Sequence, residues 1–142
     1  HFIQDNESLS GKGVVRGLHF QSPPMAQGKL VRVQKGSVLD IAVDIRNGSP
    51  TYGEHYSIVL SGTNKIMLWI PAGFAHGFAT LEDETVFLYK CTSTYSPEHE
   101  GNILWNDPDL GIDWGMSNPN LSEKDQTGPQ LKDFNSPFTY EK

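Results

Sequence analysis

The feature that most restricts this fold is a succession of short apolar runs, rich in β-branched and aromatic residues and closed by glycine or proline. Val14 to Phe20, Lys29 to Val33, Val38 to Ile45, Tyr56 to Leu60, Ile66 to Ile70, Phe78 to Leu81 and Thr85 to Thr92 each read as a strand. Gly11-Lys12-Gly13, Ser22-Pro23-Pro24, Lys35-Gly36-Ser37, Arg46 to Pro50, Ser61 to Asn64 and Glu82-Asp83-Glu84 punctuate them as turns. No long amphipathic helix, repeat or low-complexity tract interrupts the series. Many short strands at near-even spacing predict an all-β sandwich or barrel, and a jelly-roll barrel is the preferred reading. The length of 142 residues suits a single domain spanning 1–142.

Finer features qualify this outline. Gly17 lies inside its strand, where glycine marks a bulge or a close backbone approach. Asp40 and Asp44 share one face of theirs by the period of two. After Tyr95 the chain turns to Asn, Asp, Pro and Gly, which predicts loops, one strand near Ile103-Leu104-Trp105 and a short helix from Ser122. A serine followed by acidic residues suits the amino end of that helix.

Composition narrows the function. A formal charge of −6 speaks against nonspecific nucleic-acid binding, although Arg16, Lys29 and Arg32 lie close together. The single cysteine, Cys91, allows no internal disulfide and no multi-cysteine zinc site; it reads as a buried strand residue of a cytoplasmic protein. No apolar run is long enough to span a membrane, and no signal peptide is visible. The chain opens at His1 without an initiator methionine, as a fragment or a processed chain would.

Five histidines carry different expectations. His1, His55 and His99 read as surface residues. His19 lies within an apolar strand, and His76 follows the Pro71-Ala72-Gly73 turn, from which it is expected to be presented. Each is either a satisfied core residue or a working acid–base group. A metal site needs three or four ligands. Metal-binding cupin barrels take two from a His-x-His pair, but Gln21 holds the second position here and no glutamate appears before Glu54. The reading is therefore metal-free. Tyr89 is either a buried proton donor or a core tyrosine, and Asp125 either orients a histidine or supports a helix start. No G-x-S-x-G, P-loop or G-x-G-x-x-G occurs.

Val15-Arg16-Gly17-Leu18-His19-Phe20-Gln21, Gln27 to Val33, Asp40 to Arg46, Trp69 to Phe78, Phe87 to Lys90, Trp105 to Pro108 and Leu121 to Asp125 together resemble the dTDP-4-dehydrorhamnose 3,5-epimerase family, in the family's order and over almost the whole chain. The resemblance implies a cofactor-free cupin-type jelly-roll barrel that forms a homodimer. It also implies a dTDP-linked 4-keto-6-deoxy-hexose substrate, inverted beside the ketone. By resemblance His19 is the base, Asp125 its orienting partner and Tyr89 the proton donor. Lys29 lies near the keto oxygen, and His76 is a second pocket histidine. Arg16 contacts the substrate, Tyr95 stacks on the thymine, and Glu100, Gln4, Asn6 and Lys124 are further substrate contacts.

Family members carry a segment before Gln4-Asp5-Asn6 that supplies an arginine and a glutamate to the nucleotide and helps form the dimer. This chain begins after it; a barrel without that segment is expected to lose outer strands, phosphate contacts and part of the dimer contact. Two readings stand beside the double epimerase: a single-carbon epimerase of a related nucleotide sugar, and a truncated, non-catalytic sugar-nucleotide-binding barrel. A metal-dependent cupin is disfavoured by its missing ligands.

Overall fold

The apolar runs pair into two antiparallel sheets that face each other. The computed structural model describes residues 1–142. Its strands are β1 (Gln4–Ser10), β2 (Val15–Gln21), β3 (Lys29–Lys35), β4 (Ser37–Asp44), β5 (Arg46–Asn47), β6 (His55–Ser61), β7 (Met67–Ile70), β8 (Phe74–Thr80), β9 (Thr85–Cys91), β10 (Glu100–Asn102) and β11 (Phe138–Thr139). One sheet has the order β1-β9-β3-β7 and the other β10-β2-β8-β4-β6, while β5 and β11 form a short parallel pair. Helix is confined to three single 3-10 turns, at Pro97–His99, Lys124–Gln126 and Leu131–Asp133. This is the double-sheet barrel expected from the strand spacing.

The period of two sorts β4 into two cores. Val38 and Ala42 turn toward the opposite sheet and pack with Val31, Val33, Ile70, Phe78 and Phe87. Ile41 and Val43 turn the other way and pack with Val15, Leu18, Phe20 and Ala75. That second core is closed by the irregular C-terminal segment through Ile103, Leu110, Trp114 and Phe138. Both faces of β4 are thus covered, which is why its sequence is a nearly continuous apolar run.

Three local expectations are corrected. The strand near Ile103-Leu104-Trp105 lies earlier, at Glu100–Asn102, and Ile103 is instead a fully buried core residue. The helix from Ser122 is only one 3-10 turn, although the Ser122 hydroxyl does accept the Asp125 N–H at 3.3 Å. His76 stands not in the turn after Pro71 but inside β8, flanked by β2 and β4.

Strand β1 has no apolar alternation to announce it. Asp5, Glu7 and Leu9 face out, whereas Gln4, Asn6, Ser8 and Ser10 face in. Its place comes from pairing with β9, which aligns Gln4 with Cys91 and Asn6 with Tyr89.

Candidate active site

A bulge in β2 builds one side of the site. Arg16 pairs with Phe78 and His19 with His76, so two residues of β2 oppose Gly77 alone. Strict alternation would put residues 16 and 19 on opposite faces; the extra residue puts both on the inner face. Gly17 permits this. Its φ is 136°, and a Cβ there would lie 2.6 Å from the Gly77 Cα. The expected bulge and the expected close approach are therefore the same feature.

The rungs of the sheets align the remaining groups. Across one sheet Gln4, Cys91 and Lys29 stand in register, with Asn6 and Tyr89 on the next inward rung. Across the other, Asn102, His19, His76 and Ala42 form one rung, beside the rung of Arg16, Phe78 and Asp40. Two recesses between the sheets share His19, Lys29 and Tyr89. The wider, about 360 Å³, adds Gln4, Asn6, Tyr95 and Glu100, and the deeper, about 130 Å³, adds Arg16 and His76. Behind His19 a cleft of about 400 Å³ holds Arg16, Lys124 and Asp125. All eleven residues singled out from the sequence line these contiguous spaces.

The two histidines each meet a carboxylate. His19 Nε2 lies 2.5 Å from Asp125 Oδ1, and Asp125 Oδ2 accepts the Gly17 N–H at 3.2 Å. Burial pushes the Asp125 carboxyl up, but the His19 hydrogen bond and charge, the Gly17 N–H and Lys124 outweigh it and hold the group below its ordinary value. A carboxylate so placed keeps a hydrogen on Nε2 and leaves the Nδ1 lone pair of His19 to take a proton. His76 Nε2 lies 2.9 and 3.1 Å from the two oxygens of Asp40, and its ring stacks on Phe87. His19 is partly open to the cavity, with 29% of its side chain exposed against 7% for His76. The more open ring is the better placed to meet a substrate.

On the opposite sheet, burial pushes the Tyr89 hydroxyl up, so it keeps its proton at neutral pH. Burial lowers the Lys29 ammonium, against weaker opposing pulls from Cys91, Asp40 and Glu100. A partly desolvated cation donates strongly to an oxygen that is gaining negative charge. At the mouth, Glu100 accepts the Tyr95 hydroxyl at 2.8 Å and the Lys124 ammonium at 2.5 Å.

Sequence reasoning missed several residues of this site. Asp40 was placed on a face with Asp44 but not against His76; the diagonal β4–β8 register joins them. Asp44 instead binds Arg46, Ser49 and Thr51 away from the cavity. Gln21, Gln27 and Cys91 also line the wider recess. The inward alternation of β2 and β9 was the available signal for Gln21 and Cys91, and none existed for Gln27. Nowhere do three His, Cys, Asp or Glu side chains gather as metal ligands.

A jelly-roll barrel with a histidine–aspartate pair facing a protonated tyrosine and a lysine across its cavity is a proton-transfer barrel of the cupin type. The family model for dTDP-4-dehydrorhamnose 3,5-epimerase matches residues 1–133. The chain belongs to that family. The dTDP-4-dehydrorhamnose 3,5-epimerase of Sinorhizobium fredii is 54% identical over 142 residues, covering 99% of this chain and 73% of its own length. That of Salmonella typhimurium is 57% identical over 131 residues, covering 92% and 72%. The crystal structure of the Legionella pneumophila dTDP-6-deoxy-D-glucose-3,5-epimerase in complex with dTDP-4-keto-L-rhamnose superposes with a TM-score of 0.96 at 49% identity, covering 100% of this chain and 77% of that one. A 3'-monoepimerase from Streptomyces bikiniensis, in complex with dTDP-quinovose, reaches 0.88 at 34% identity, covering 92% and 67%.

Proposed function

We infer that this chain is a dTDP-4-dehydrorhamnose 3,5-epimerase, converting dTDP-4-dehydro-6-deoxy-D-glucose to dTDP-4-dehydro-L-rhamnose in dTDP-L-rhamnose biosynthesis. The observation that carries the reading is the placement of base and acid on opposite sheets, His19 on β2 and Tyr89 on β9, with the cavity between. Inverting a carbon beside a ketone requires a proton to leave from one face and another to arrive from the other. His19 Nδ1 takes the proton, and the electron pair delocalises onto the C4 oxygen as an enolate. Lys29 donates to that oxygen, and the Tyr89 hydroxyl returns a proton to the opposite face. Arg16 meets the diphosphate, Gln4, Asn6, Glu100 and Lys124 contact the nucleotide sugar, Tyr95 stacks on the base, and His76 walls the sugar pocket.

The test is incubation with the 4-keto sugar nucleotide in deuterated water. Deuterium enters at both carbons flanking the ketone if the reading holds. Incorporation at one carbon points to the single-carbon chemistry of the Streptomyces bikiniensis relative, and no exchange by folded protein leaves a binding barrel. His19→Ala abolishes exchange while the barrel stays folded.

The 142 residues act as one domain in this reading, and two copies associate. The outer face of the β1-β9-β3-β7 sheet supports association, since it leaves Leu9, Met67 and Trp69 each half or more exposed. Sedimentation equilibrium reads the assembly directly: a monomer at micromolar concentration refutes it. No helix is long and apolar enough to cross a membrane. A cytoplasmic location fits the lone buried thiol, and fractionation of expressing cells tests it.

A further inference from the structure

Four consecutive residues of the loop after β9 each give a backbone group to a glutamine side chain. Gln27 Nε2 donates to the Ser93 carbonyl at 2.8 Å, and Gln21 Nε2 to the Thr94 carbonyl at 3.1 Å. The Tyr95 N–H donates to Gln4 Oε1 at 2.7 Å, and the Ser96 N–H to Gln21 Oε1 at 2.8 Å. The Tyr95 hydroxyl is fixed separately by Glu100 at 2.8 Å. Three strands, or the turn leading into one, thus converge on a loop that makes no sheet pairing of its own. Tyr95 is nonetheless 57% exposed at the mouth of the wider recess.

Gln21 is the centre of this arrangement. It is 4% exposed and engages both polar atoms of its amide within the protein, its second Nε2 hydrogen going to the Met25 carbonyl at 2.7 Å. It stands two residues from His19 on β2, at the position where a metal-binding barrel would carry a histidine. With both Nε2 hydrogens committed to loop and turn carbonyls, this buried amide has no donor left for a ligand.

We propose that Gln21, with Gln27, is a positioning residue for nucleotide recognition: the glutamine clamp holds the Tyr95 ring as a preset stacking platform for the thymine of the substrate. The proposal rests on the epimerase reading for the identity of the base. An exposed aromatic on an unpaired loop would lose much of its stacking energy to ordering the loop on binding. The clamp supplies that order beforehand, so Gln21 sets affinity at the nucleotide end and leaves the proton transfers to other groups.

The test is calorimetric titration with dTDP, which requires no reaction. Gln21→Met, close in volume but without the amide, weakens dTDP binding about tenfold, within the range of a lost base–aromatic stack. Gln27→Met, which removes a single bond from a more exposed site, weakens it less and carries the test if Gln21→Met fails to fold by thermal melting. In a Tyr95→Ala background both substitutions lose their effect, because they act through the ring. With the 4-keto substrate, KM rises by the same factor while kcat is retained. Unchanged dTDP affinity in the folded variants overturns the proposal, as does an equal loss with and without Tyr95. A wild-type chain that does not bind dTDP overturns the epimerase reading itself, and the clamp's assignment with it.

Discussion

At the scale of single residues, His19 and His76 look alike in the sequence and differ in the structure by exposure and by partner. Both donate from Nε2 to a buried aspartate, yet His19 opens on the cavity and His76 is packed on Phe87. The contribution of Asp125 is electrostatic and orienting, so Asp125→Asn keeps the side chain's size and removes what matters. We expect kcat to fall by roughly 10²–10⁴, the range of a positioned general base, with dTDP affinity unchanged. Measuring both on one preparation separates the effects, and a variant with normal kcat would show that Asp125 only supports its turn. The pair of residues was legible in sequence only through the family's motif order. Nothing in Ser122-Glu123-Lys124-Asp125 by itself says that the fourth residue meets β2.

At the scale of elements, the bulge of β2 decides the site. Gly17 was readable as an irregularity, but its consequence required the pairing partner, since the extra residue changes facing only relative to β8. Gly17→Ala forces a Cβ against the Gly77 backbone at an unfavourable φ. The strain costs about 1–3 kcal/mol or more, and deuterium exchange collapses because Arg16 and His19 lose their common face. Gly13→Ala is the control. Its φ is also positive, at 86°, but no atom lies within 4 Å of the added Cβ, so the denaturation midpoint moves less and exchange survives. Strand β1 shows the reverse limit: polar residues that point inward toward a wet cavity give no apolar period to read.

At the scale of the whole molecule, the irregular segment after β10 is a cover. Its sequence reads mostly as loops, yet Ile103, Leu110, Trp114 and Phe138 close the second core. Beside that cover, Asp44 anchors the loop that follows β4. Arg46 at 2.7 Å, Ser49 at 2.5 Å and Thr51 at 2.7 Å all donate to one of its oxygens. Burial pushes this carboxyl up, but these hydrogen bonds hold it far below its usual range. Glu100 and Asp125 are lowered too, against the same upward push of burial.

A carboxylate with a depressed folded pKa adds stability that is present above its unfolded value and lost as pH falls toward the folded one. Stability should therefore hold at neutral pH and decline from about pH 4 downward, where ordinary carboxylates begin to protonate. Asp44→Ala removes the buried carboxylate that Arg46, Ser49 and Thr51 bind, costs about 1.5–3 kcal/mol at neutral pH and flattens that acid decline. Chemical denaturation across pH 2–7 measures both. An unchanged slope in the variant would place the acid sensitivity elsewhere.

The apolar strands, the turns between them and the all-β class follow from the sequence alone, because apolar period, β-branching and Gly/Pro punctuation act over a few residues at a time. The order of motifs carried the candidate residues. Only the tertiary structure decided which of them meet: Asp40 with His76, Asp125 with His19, and three glutamines with one loop. Those contacts join residues 36 to 106 positions apart in the chain. Strand register brings Asp40 to His76, and the packing of a 3-10 turn and a loop against the strands brings the others within hydrogen-bonding distance.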